Sequence, residues 1–299
     1  AITDYLADHP PDLILQELMF ESLAFTKLAE VFGDHSLCEL IRPARGKARL
    51  TIQNLIPADF LAPRFEAADS TLMFSATLSP GVYYRDLLGM PEDTCFRSLP
   101  GPFTRDQLEV NFTPDISTRR PDRERSLTPI AELIHRQYQQ RPGNYLAFFS
   151  SFSYLNRVQE TLLQQAPDLP LRAQRPGMSA EERTAFLKAF HEDNTGVALA
   201  VLGGVFSEGI DLPGDRLIGA FVATLGLPPF DNWHEILRQR LEQRFGAGHA
   251  YTYLIPGLQK VAQAAGRVIR TPEDTGVIWL IDDRFLQPQI RNLLPAWWA

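Results

Sequence analysis

A parallel β-sheet covered by helices on both faces is the fold class that this 299-residue chain predicts, and three observations predict it. Four short runs, at 145–149, 197–202, 217–222 and 277–281, are apolar without alternation. Strands buried on both faces read this way, whereas a strand with one wet face alternates. Amphipathic helical stretches separate the runs, and such crossovers join parallel strands. Polar and glycine-bearing loops follow the strands: Ser150-Ser151 after one, Gly203-Gly204 after another. In open α/β sheets ligands bind at these carboxyl ends.

The N-terminal 70 residues differ from the rest. Leu15, Leu18, Met19, Leu23, Phe25 and Phe32 recur at helical spacing and predict one amphipathic helix over 11–33. A Pro-bounded extended piece follows at 50–57, and residues 72–74 predict a short buried strand running into Ser75-Ala76-Thr77. The prolines between 91 and 125 mark a linking stretch with one strand at 108–112. Beyond it, Leu127, Ile130, Leu133, Ile134 and Tyr138 predict a helix over 126–139. Leu155, Val158, Leu162 and Leu163 predict a second helix over 153–165. Ser179 with Glu182 forms a capping box that opens a third. Helices at 231–245, 256–270 and 283–294 complete the set.

Composition excludes several classes. The chain is 44% hydrophobic and 22% charged, as soluble globular proteins are. No run approaches the ~20 apolar residues that span a bilayer, and no secretory signal pattern is present. Cys38 and Cys95 are the only cysteines, too few for a four-cysteine metal site. The six histidines show no metal-ligand spacing. A net charge of −7 does not advertise nucleic-acid binding, which depends instead on a local basic track. Arg119, Arg120, Arg123 and Arg125 form one basic cluster, readable equally as a solvated loop.

The most informative segment is Val261-Ala262-Gln263-Ala264-Ala265-Gly266-Arg267-Val268-Ile269-Arg270. On a helix, Gln263, Arg267 and Arg270 share one face, and Leu258, Val261, Ala262, Ala265 and Ile269 pack inward. Two guanidiniums on one ridge suit a multi-oxygen anion such as a triphosphate. The alternative is that they complement a helix C-terminus before Pro272. Upstream lies Gly204-Val205-Phe206-Ser207-Glu208-Gly209-Ile210-Asp211-Leu212-Pro213-Gly214. Ser150 and Ser151 can bind a phosphate-sized anion at a strand-to-helix turn, or Ser151 can simply cap its helix.

Taken in order, Ser75-Ala76-Thr77-Leu78-Ser79-Pro80, Phe148-Phe149-Ser150-Ser151, the Gly204–Gly214 segment and the 261–270 segment resemble motifs III, IV, V and VI of the superfamily 2 helicases. Their wording is similar to the XPD-type branch and, within it, the bacterial DinG-like proteins. The resemblance implies a tail of the first helicase domain with an accessory segment over 1–79, a linker over 80–114, and a RecA-like second helicase domain over 115–299. It implies that Arg267 and Arg270 are catalytic arginine fingers and that Gln263, Glu208, Gly209 and Asp211 face the nucleotide. Ser150, Ser151 and Gly204 would then meet DNA, while Ser75 and Thr77 couple nucleotide state to movement. The implied partners are single-stranded DNA and an N-terminal helicase domain, the implied direction is 5′ to 3′, and the implied location is cytoplasmic, on the nucleoid.

No Gly-x-x-x-x-Gly-Lys-Ser/Thr occurs in the chain. Phosphoryl transfer needs such a loop and a Mg²⁺ carboxylate. The resemblance therefore implies the C-terminal portion of a larger helicase. ATP and Mg²⁺ would be held mainly by the preceding domain, and any iron–sulfur cluster would belong there too. On that reading the chain alone is inactive as an ATPase. The rival expectation is a non-catalytic nucleic-acid- or partner-binding module that keeps the fold.

Overall fold

Two groups of elements make up the protein. The structure, a computed structural model, describes residues 2–10, 12–43, 46–191, 194–206 and 212–298. One unit gathers Ala1–Phe74, Gly81–Cys95 and Ile236–Gly248, and the other gathers Ser75–Pro80, Phe96–Glu235 and His249–Ala299.

The first unit holds α1 (Ile2–Asp8), α2 (Leu13–Glu30), β1 (Ser36–Ile41), β2 (Arg49–Asn54), α3 (Ala58–Glu66) and α4 (Gly81–Leu88). Asp12 caps α2 by accepting from the backbone N–H groups of Ile14 and Leu15. The predicted helix therefore forms, yet none of its residues is buried. The extended piece at 50–57 falls mostly in β2, which pairs antiparallel with β1. Gly89, at φ +65°, lies so close to Ala58 that a Cβ would stand 2.5 Å from that residue's carbonyl oxygen. Arg244 Nη1 donates to Asp59 Oδ2 at 2.8 Å.

The strand expected at 72–74 does not form, and Leu72 and Phe74 are 86% and 88% exposed. An apolar run becomes a strand only where a sheet edge completes its hydrogen-bond ladder, and none of the described strands pairs with it.

The second unit holds β3 (Leu108–Phe112), α5 (Arg123–Gln140), β4 (Asn144–Phe149), α6 (Phe152–Gln165), β5 (Leu171–Ala173), α7 (Ala180–Lys188), β6 (Gly196–Val201) and β7 (Gly219–Ala223). It continues with the first residues of α8 (Asn232–Phe245), then α9 (Ile255–Ala265), β8 (Gly276–Leu280) and the single turn α10 (Pro288–Arg291). The strands form one sheet in the order β3-β8-β7-β4-β6-β5, and every pairing is parallel. β4 is buried along its whole length. Tyr145, Ala147 and Phe149 pack on one face with Ile130 of α5 and Leu155 and Val158 of α6. Leu146 and Phe148 pack on the other face with Phe186 of α7 and Leu258 and Val261 of α9. Burying each such Leu or Phe contributes about 1.5–3 kcal/mol.

Two predicted helices end early. The helix expected over 256–270 stops at Ala265, where Gly266 donates to the Ala262 carbonyl at 2.8 Å. Arg267, Val268 and Ile269 are then buried consecutively, a pattern that a helix of 3.6-residue period cannot supply against one core. A π-turn at Ala250–Leu254 leads into this helix ahead of Pro256, which has no N–H to give. The helix expected over 283–294 is a 3-10 turn, Asp283–Leu286, followed by α10, with Pro288 at the break.

Candidate functional site

The topology selects one edge of the second unit's sheet. From β4 the chain winds outward to β5 and back to β6, then crosses beyond β4 to β7 and on to β8. The winding reverses beside β4, and the crevice outside the carboxyl ends of strands at such a point is where α/β sheets bind ligands. Phe149 pairs with Val201 on one side and Ala223 on the other. Ser150, Leu202 and Thr224 therefore leave the sheet side by side.

At this edge Ser151 caps α6, its side chain accepting from the Tyr154 N–H at 3.3 Å. Ser150 instead accepts from Arg123 Nη2 at 2.8 Å. Next to it, Asp282 is fully buried after β8. Its Oδ2 accepts from the Thr118 N–H at 2.8 Å and hydroxyl at 2.5 Å, and its Oδ1 accepts from Arg284 Nε at 2.6 Å. Burial pushes this carboxyl up, but the hydrogen bonds of Arg284 and Thr118 outweigh it and hold the pKa at about 2.

A second knot forms after α9. Asp274 is 7% exposed. Its Oδ2 accepts from the backbone N–H groups of Arg270 at 2.6 Å and Thr271 at 2.8 Å. Its Oδ1 accepts from the Thr271 hydroxyl at 2.8 Å and the Gly214 N–H at 3.2 Å. Burial raises this carboxyl's pKa, and the backbone donors more than offset it, so it lies below the ordinary carboxylate range. Gln107 Nε2 lies within hydrogen-bond distance of the carbonyls of Thr271, Pro272 and Asp274. Asp274 thus ties the end of the Gly204–Gly214 segment to the end of the 261–270 segment.

The predicted residues are distributed unevenly. Gln263 is exposed on α9, Arg267 is 6% exposed beyond its end, and Arg270 is exposed on the segment held by Asp274. They do not share a helical face, because the helix ends between the first and the second. Gly204 sits under the buried Gln174, where a Cβ would stand 3.3 Å from Nε2 and 3.0 Å from the Val201 carbonyl oxygen. Gln174 in turn accepts from the Val201 N–H at 2.8 Å. Ser75 Oγ accepts from the Thr77 N–H at 3.2 Å in a local turn. Glu208, Gly209 and Asp211 lie outside the described residues.

Sequence reasoning misses Asp274, Gln107, Asp282 and Thr118. The Thr-Pro-Glu-Asp run at 271–274 is a turn signal that locates Asp274; the Thr104-x-x-Gln107 capping-box pattern locates Gln107, but nothing local points to its reach toward 271–274. Among the described residues no three His, Cys, Asp or Glu side chains gather as metal ligands. No described helix is long and apolar enough to cross a membrane.

A family model described as helicase C-terminal domain matches residues 134–299. The ATP-dependent DNA helicase XPD of Sulfolobus acidocaldarius is 26% identical over 246 residues, which cover 79% of this chain and 43% of that protein. The general transcription and DNA repair factor IIH helicase subunit XPD of Dictyostelium discoideum is 29% identical over 167 residues, covering 52% of this chain and 21% of that protein. The chain spans less than half the length of these relatives. A solved XPD helicase structure matches with a TM-score of 0.64, covering 90% of this chain and 47% of its own. An apo XPD structure matches at 0.66, covering 98% and 59%. Both are 22% identical, a likeness that establishes a RecA-like fold.

Proposed function

The chain belongs to the helicase C-terminal domain family, in its XPD/DinG-type branch, and from that premise we propose that it is the second motor domain of an ATP-dependent DNA helicase moving 5′ to 3′ on single-stranded DNA. On this reading ATP binds between this domain and a companion P-loop domain, which supplies the phosphate cradle and the Mg²⁺ carboxylate. Arg270 reaches the transferring phosphoryl group and stabilises charge in the transition state. Gln263, with Glu208, Gly209 and Asp211, senses the nucleotide. Ser150, Ser151 and Gly204 line the DNA path, and Ser75 and Thr77 couple the two.

One observation supports the reading above the others: the buried Asp274 carboxylate joins Gly214 to Arg270. A relay between the glycine-rich loop and the arginine segment needs a stiff link of this kind. The rival, a binding module without turnover, gains from the burial of Arg267, which gives that arginine a packing reason to persist. Unwinding assays on the complete helicase separate the two. Partial duplexes with a 5′ single-stranded tail should be opened in the presence of ATP, and those with a 3′ tail should not. Equal unwinding of both removes the direction, and no ATP turnover on any strand leaves the rival standing.

A further inference from the structure

The arginine-rich stretch before and along the start of α5 is sorted by the structure into paired and unpaired charges. Arg119 pairs with Asp283 at 2.5 Å, Arg125 with Asp122, Arg157 with Glu124, and Arg284 with Asp282. Those four carboxylates are thereby engaged. Arg120 and Arg123 have no carboxylate partner among the described residues.

Arg123 is also immobilised. Nη2 donates to Ser150 Oγ at 2.8 Å, Nε donates to the Thr118 carbonyl at 3.4 Å, and the guanidinium carbon lies 5.1 Å from the centre of the Tyr154 ring. The Tyr154 hydroxyl is itself fixed by Ser126 at 2.6 Å. Burial lowers the pKa of Arg123, Tyr154 partly offsets this, and Arg120 and Arg284 lower it further. A guanidinium stays charged regardless, so a half-buried cation stands beside other cations without an acid to offset it. Among the described residues it donates through Nη2 and Nε only, which leaves donors of its fork for an oxyanion.

We propose that Arg123, with Arg120 and the Ser150 hydroxyl, binds a phosphodiester group of a single nucleic-acid strand at the carboxyl end of β4. This rests on the helicase reading and redistributes the contact within it. Arg123 carries the affinity, Ser150 orients it, and Ser151, whose side chain is committed to capping α6, adds stability only. Two cations, one half-buried and one exposed three residues earlier, suit a strand that passes over the first and continues past the second.

Fluorescence anisotropy of the protein with a labelled single-stranded oligonucleotide tests it, across a salt series starting at about 50 mM. Arg123→Gln should weaken binding about tenfold and flatten the slope of log affinity against log salt by about 0.7, the amount expected for one phosphate on a single strand. Arg120→Gln should weaken it about threefold, and because Arg120 is exposed this variant decides the matter if Arg123→Gln unfolds on heating earlier than the parent. Arg175→Gln removes an equal charge from an ion pair with Glu182 and should leave affinity unchanged. Inorganic phosphate or ATP at matched ionic strength should not displace the strand. Wild-type affinity in both the Arg123 and Arg120 variants overturns this site while the helicase reading stands. An equal loss in Arg175→Gln overturns it as a general charge effect. Displacement by phosphate or ATP reassigns the site to a free phosphate. Absence of strand binding by the parent itself removes both this site and the DNA path of the helicase reading.

Discussion

The backbone N–H of Arg270 donates to the carboxylate of Asp274 at 2.6 Å, and the other oxygen of the same carboxylate accepts from Gly214, 60 residues away from Asp274 in sequence. Removing this carboxylate, whose residue is 7% exposed, leaves three backbone donors and a hydroxyl without their acceptor. Asp274→Ala should lower unfolding free energy by about 2–4 kcal/mol, since each bond to a charged acceptor is worth about 1.5–3 and the segment will relax toward water. Urea unfolding measures it. A loss under about 0.5 kcal/mol, as for an ordinary surface change, would show that the joint is not a structural link.

Asp282 makes stability depend on acid pH with a fixed sign. Its folded-state pKa is about 2 against an ordinary 3.8. A depressed carboxyl stabilises fully above the ordinary value, and this contribution is lost as pH falls through the folded value. The loss should therefore develop between about pH 4 and about pH 2 and amount to roughly 2 kcal/mol. Asp282→Asn should be less stable at neutral pH and should show a shallower fall across that window. Parallel pH profiles for parent and variant would mean that other carboxylates carry the acid sensitivity.

The central strands are legible in the sequence because burial on both faces leaves a continuous apolar signature, as at Leu146-Ala147-Phe148-Phe149. β5 is not, because its three residues are half-buried at the sheet edge and include Arg172. The capping box at Ser179 is legible because both of its bonds are local. The end of α9 is hidden because Val268 and Ile269 continue its apolar stripe on paper, while the groups that redirect the chain are Asp274 and the distant Gly214 and Gln107. Arg267 and Arg270 look equivalent in sequence, and only tertiary packing makes one buried and the other exposed.

Gly226 and Gly257 bring α9 against the loop after β7. Gly226 has φ +68°, and a Cβ on it would stand 2.6 Å from the carbonyl oxygen of Gly257. That oxygen is backbone, so the clash cannot be relieved by a side-chain rotation. Gly226→Ala should cost about 2–4 kcal/mol, combining a strained conformation with overpacking. Gly177 is the control, with φ +73° and no atom within 4 Å of where a Cβ would stand. Gly177→Ala should show only the conformational part, about 1 kcal/mol. Equal losses in the two variants would mean that the close approach to α9 contributes nothing.

Arg267 and Arg270 should separate stability from catalysis. Arg267 is 6% exposed, so Arg267→Ala removes a buried side chain and whatever its guanidinium satisfies. It should lower unfolding free energy by about 2–4 kcal/mol, and activity should fall at least partly through folding. Arg270 is exposed, and alanine keeps the backbone N–H that donates to Asp274. Arg270→Ala should leave thermal unfolding within a degree or two of the parent, on the order of 0.5 kcal/mol, as substitutions at exposed positions do. In the complete helicase it should nevertheless reduce kcat by about 10³-fold or more, as loss of an arginine finger does. The loss belongs to the chemical step, because the guanidinium interacts most strongly with charge that develops in the transition state. Arg270→Lys should recover little, since an ammonium cannot reproduce the planar fork. Steady-state ATP hydrolysis with saturating single-stranded DNA, beside thermal unfolding of all three variants, makes the comparison. Normal turnover by Arg270→Ala removes the arginine-finger assignment. Normal turnover by that variant with failure of a fully folded Arg267→Ala would transfer the role to Arg267.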